Sequence, residues 1–122
     1  MRTPLLPCLA LCMLFAQAPR AGAHAFLEQA TPPVGGTVST PPTELGLRFS
    51  EAIEPAFSHI KLTTKAGDAV EIGPVSLDPS DSTRLVAAVR STLAPGAYKV
   101  SWRVVSVDTH STEGDYTFEV KP

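Results

Sequence analysis

Three histidines, His24, His59 and His110, supply all the imidazoles of this 122-residue chain. Two of them stand where a metal ion would be held. Asp108-Thr109-His110 follows a long alternating run that carries Trp102. In an extended chain residues two apart project to the same side, so Asp108 and His110 offer a carboxylate oxygen and an imidazole nitrogen to one point. His24 matters through its position. Met1-Arg2 opens the chain with a positive charge, Leu5 to Ala16 is an uncharged, mostly apolar run of 12 residues, and Ala21-Gly22-Ala23 is a small-x-small site. That is the order of a secretory signal peptide, and the run falls short of the about 20 apolar residues that span a bilayer. Cleavage after Ala23 makes His24 the amino terminus. Its free amine and ring Nδ1 then form a chelate of the kind copper(II) takes in tetragonal sites. With His110 and Asp108 the set becomes three nitrogens and one oxygen, enough to fill a square plane.

Removing residues 1–23 changes the composition as well as the terminus. Residues 24–122 are the length of one domain. Cys8, Cys12, Met1 and Met13 all lie in the removed segment, so the exported chain has no sulfur. This excludes a stabilising disulfide, thiolate zinc sites, cysteine nucleophiles and thioether copper(I) sites. The net charge of −2 becomes −4 once Arg2 and Arg20 are gone. No basic field remains to hold a phosphate backbone, which excludes nucleic acid as a partner. No Ser-His-Asp set or paired carboxylates point to an enzyme. Asp78 and Asp81 flank a Pro-Ser turn and read as turn-capping groups.

The elements that must position these groups are strands. Apolar residues alternate with polar ones at Leu45, Leu47 and Phe49; at Ile60 and Leu62; at Leu85, Ala87 and Val89; at Tyr98, Val100, Trp102 and Val104; and at Tyr116, Phe118 and Val120. A period of two is the signature of a half-buried strand. Turn clusters rich in proline and glycine separate the runs, as at 31–36, 40–42, 65–68, 78–81 and 94–96. About seven short strands in about 100 residues predict an all-β fold, a Greek-key immunoglobulin-like sandwich or barrel. By the same parity Tyr98 and Trp102 face the core, while His59 shares the polar face with Lys61.

Several stretches together resemble the CopC family of periplasmic copper-binding proteins: His24-Ala25-Phe26-Leu27, Thr31-Pro32-Pro33, Leu47-Arg48-Phe49-Ser50-Glu51, Tyr98 through His110, and the closing Gly114-Asp115-Tyr116-Thr117-Phe118-Glu119-Val120. The resemblance spans nearly all of residues 24–122. It implies a seven-stranded β-barrel or sandwich and a monomeric copper(II) carrier, buffer or resistance protein in the periplasm. It also implies no catalysis, with a membrane copper transporter as a partner. Carried over by residue, it puts metal ligands at His24, Asp108 and His110, and it places Glu51 near the copper(II) site. One departure stands out: the methionine-rich copper(I) loop of some members has no counterpart here, and His59, in roughly that region, has no sulfur neighbours. Two other classes remain open. One is an immunoglobulin-like adhesion or interaction module. The other is a histidine-brace copper oxygenase, which needs an open coordination position that Asp108 would fill.

Overall fold

Each alternating run forms a strand, and both sheets are built from them. The computed structural model describes residues 25–122; the segment 1–23 and His24 lie outside the described residues. Nine strands follow in order: β1 (Leu27–Thr31), β2 (Thr37–Val38), β3 (Glu44–Phe49), β4 (His59–Thr64), β5 (Ala69–Val70), β6 (Ser76–Asp78), β7 (Asp81–Ala88), β8 (Gly96–Val105) and β9 (Ser111–Val120). One sheet has the order β1-β3-β7-β6 and the other β2-β9-β8-β4-β5. All pairings are antiparallel except β2 with β9. Among the described residues there is no α-helix, only a 3-10 turn at Pro55–Phe57, and no helix is long and apolar enough to cross a membrane.

The result is the expected β-sandwich with more strands than the about seven predicted. Three of the nine, β2, β5 and β6, are only two or three residues long. They are too short to show a side-chain period, and each adds one partly buried apolar side chain to the core, Val38, Val70 and Leu77. The inner faces carry the runs read from the sequence. Leu45, Leu47, Leu85, Val100 and Val104 are fully buried, and Phe49 and Phe118 nearly so. Each such side chain contributes about 1.5–3 kcal/mol relative to exposure, and with no cysteine in residues 24–122 this core carries the stability. Tyr98 stacks on Phe118 at 5.5 Å and sends its hydroxyl to the Ala94 carbonyl at 2.6 Å. Trp102 meets Phe49 edge-on at 6.2 Å across the sandwich. Its indole also lies over Gly114, its direct partner on β9, where a Cβ would come within 2.5 Å of the ring.

For the site, the decisive element is the β8–β9 hairpin. Its ten-residue strands pair without a break from Gly96↔Val120 to Val105↔Ser111, so the loop joining them sits at the end of a long, stiff ribbon.

Candidate metal centre

The loop at that end, residues 106–110, is a tight hairpin connection. Ser106 N–H donates to the His110 carbonyl at 2.9 Å, and Thr109 N–H donates to the Ser106 carbonyl at 2.9 Å. Thr109 has a φ of 71°, the left-handed conformation that closes a three-residue hairpin loop. Glycine suits such a position and a β-branched residue is strained in it. The segment after β3 supports the loop from below. Val107 N–H donates to the Ala52 carbonyl at 3.0 Å and Glu54 N–H to the Val105 carbonyl at 2.8 Å, and Ile53 pairs with Ser106. Buried Ser58 accepts the Val105 N–H at 3.0 Å and donates to the Glu54 carbonyl at 2.7 Å.

On this platform Asp108 and His110 meet as expected, but through a different geometry. The chain between them is not extended, and the turn with Thr109 in the left-handed region brings the two side chains together. His110 Nδ1 lies 3.2 Å from Asp108 Oδ2, with both side chains about half exposed. Asp108 Oδ1 accepts the Ser106 hydroxyl. The bond from Ser106, and after it the contact with His110, holds the Asp108 carboxyl below the usual carboxylate range. The carboxylate therefore stays ionised, as a metal ligand must.

His24 lies outside the described residues, but the chain that follows it is fixed beside the loop. Ala25 is buried, and its carbonyl accepts the Thr112 hydroxyl at 2.9 Å. Phe26 N–H donates to Ser50 Oγ at 2.9 Å, while Ser50 N–H donates to the Phe26 carbonyl at 2.8 Å. Residues 25 and 26 are thus tied on one side to β9, two residues past His110, and on the other to the residue before Glu51. Glu51 itself is partly buried. Among the described residues no group of three His, Cys, Asp or Glu side chains could hold a metal; Asp108 and His110 come together as a pair, without Glu51.

His59 is exposed, as its parity predicts. It sits opposite Arg103 on the outer face of the five-stranded sheet, in a shallow depression of about 190 Å³ shared with Lys61 and Glu113. Asp78 and Asp81 cap their turn, accepting the backbone N–H of Ser80 and Thr83 at 2.9 Å each.

Sequence reasoning missed the hydroxyls that build the platform. Ser58, Ser106 and Thr112 each continue the inward parity of a strand, beyond Ile60, Val104 and Gly114 respectively. A small polar residue at an inward position next to a strand end is the signal that would have found them.

The family model of the CopC domain matches residues 27–121. The chain belongs to the CopC family. It is 37% identical over 106 residues to copper resistance protein C of Pseudomonas syringae pv. tomato, covering 83% of each chain. Among solved structures, CopC from Methylosinus trichosporium OB3b superposes with a TM-score of 0.75 at 34% identity, over 81% of this chain and 95% of that one. The methionine-rich copper resistance protein PcoC from Escherichia coli gives 0.73 at 36% identity, over 81% and 100%. Unlike a methionine-rich relative, this CopC-family chain has no methionine after residue 13.

Proposed function

We propose that this protein binds copper(II) in the periplasm, after removal of residues 1–23, and serves copper carriage, buffering or resistance. The observation that carries the reading is the Asp108–His110 pair, held at a hairpin tip beside a chain start that Thr112 and Ser50 tie down. The residue after His24, Ala25, is tied by its carbonyl to the Thr112 hydroxyl, two residues past His110, and this supports counting a terminal His24 in the same site. Its amine and ring nitrogen, with the His110 imidazole and the Asp108 carboxylate, make a nitrogen-rich set that favours copper(II) over zinc. Glu51, one residue beyond Ser50, belongs to the edge of the site. Without sulfur, copper(I) is bound far more weakly. The role is carriage, not catalysis, in a monomer whose half-exposed ligands suit handing copper on to a membrane transporter.

The test is a copper(II) titration of the authentic protein, its terminus verified by sequencing, against a protein with one extra residue before His24. The extension turns the chelating amine into an amide. Affinity should fall at least 100-fold while the unfolding midpoint stays the same. Equal affinities would remove the amine from the site.

A further inference from the structure

The peptide bond between Ala25 and Phe26 precedes β1 and belongs to no strand ladder. Both of its polar groups are nevertheless engaged, each by a side-chain hydroxyl. The Ala25 carbonyl accepts the Thr112 hydroxyl at 2.9 Å, and the Phe26 N–H donates to Ser50 Oγ at 2.9 Å. Thr112 lies on β9 of the five-stranded sheet, and Ser50 directly follows β3 of the four-stranded sheet. One peptide unit is therefore held from both layers of the sandwich. Two further contacts close the grip. Ser50 N–H donates to the Phe26 carbonyl at 2.8 Å, and Ala25 is buried in the core cluster. The first residues of a domain are ordinarily loose unless something ties them down. Here two hydroxyls and a methyl group do so.

We propose that Thr112 and Ser50 are positioning residues of the metal site: they fix the chain start before any metal arrives, so that the residue joined to Ala25 is presented already ordered to the Asp108–His110 pair. The proposal rests on the reading of His24 as a chelating amino terminus. A ligand on a loose chain end must be immobilised as it binds, at an entropic cost that weakens affinity. On a fixed chain end that ordering is complete once the protein has folded. Thr112 and Ser50 make no bond to the metal and act only through Ala25 and Phe26. Their hydroxyls are suited to this because neither main-chain group they hold has a strand partner.

The experiment measures copper(II) affinity and metal-free backbone order in the chain beginning at His24. Thr112→Val keeps the shape of the side chain and removes its donor, so affinity should fall about 10-fold. Thr112→Ser keeps the hydroxyl and should bind copper as wild type does. Ser50→Ala removes the acceptor on the other side and should weaken binding comparably, which preserves the test if Thr112→Val does not fold. Equal weakening in Thr112→Ser and Thr112→Val would make Thr112 a packing residue only and overturn the proposal. A metal-free readout separates this inference from the copper reading. Nitrogen-15 relaxation of the Ala25 and Phe26 amides should give order parameters of about 0.85 in wild type, the value of rigid backbone, and below about 0.6 in Thr112→Val and Ser50→Ala. Amides already loose in wild type, or equally rigid in the variants, would sink the proposal even where copper binds tightly. So would unchanged copper affinity in variants whose amides have loosened. Rigid wild-type amides that loosen in the variants, with copper bound by none of the proteins, would uphold the clamp and sink only the functional reading.

Discussion

Tyr116 carries a buried hydroxyl with no hydrogen-bond partner, the one such side-chain oxygen or nitrogen among the described residues. Burial pushes its pKa from the ordinary 10 up to about 12. Tyr116→Phe removes an unpaired polar atom and leaves the ring against Trp102 at 6.3 Å, so it should raise stability at pH 7 by about 1 kcal/mol. The alkaline limb gives a second check. Above pH 10 the unfolded chain loses the phenolic proton while the folded chain keeps it, so stability falls as pH rises from 10 toward 12. The loss approaches about 2 kcal/mol. Denaturant melts at pH 8 and pH 11 should show this decline in wild type and a shallower one in Tyr116→Phe. Thr109 is the other residue under visible constraint. Placing glycine at its φ of 71° relieves β-branched strain but adds freedom to the unfolded chain, for a net gain of about 0.5–1 kcal/mol. A Thr109→Gly protein that unfolds earlier than wild type would show that the threonine hydroxyl, which donates to the Asp108 carbonyl at 2.6 Å, outweighs the strain.

At the scale of elements, the strands that bury side chains were the legible ones. β3, β4, β7, β8 and β9 carry clear alternation because each has one face on the core. β1 does not, because it is an edge strand with Ala30 as its single buried residue and a bulge between Leu27 and Gln29. The Asp108–His110 pairing was expected from a spacing of two in extended chain, but it comes about through the left-handed turn at Thr109, which that spacing did not reveal. What supports the pair was not legible, because it consists of hydrogen bonds between segments some 50 residues apart, such as Val107 N–H to the Ala52 carbonyl and Val105 N–H to the Ser58 hydroxyl. The β8–β9 ribbon offers a direct test. Gly114→Ala would force a Cβ to 2.5 Å from the Trp102 ring and should destabilise the protein by about 1–3 kcal/mol. Near-ultraviolet circular dichroism should show the indole displaced. A Gly114→Ala protein with wild-type stability and spectrum would mean that Trp102 is free to move aside.

For the whole molecule, the direction of β9 sets what each end of the chain is near. β9 leaves the 106–110 loop at Ser111 and runs to Val120, nine steps of about 3.3 Å or roughly 30 Å. Beyond it Lys121 N–H bonds to the Val38 carbonyl at 2.9 Å. The start of the described chain and its finish therefore occupy opposite poles. A bulky protein fused after Pro122 should leave the copper(II) titration unchanged, and a weakened titration in that fusion would show that the far pole influences the loop. Grafted by Pro122 to a bead, an electrode or a bilayer, the molecule would stand upright like a post, its hairpin tip uppermost and open to whatever approaches from solution.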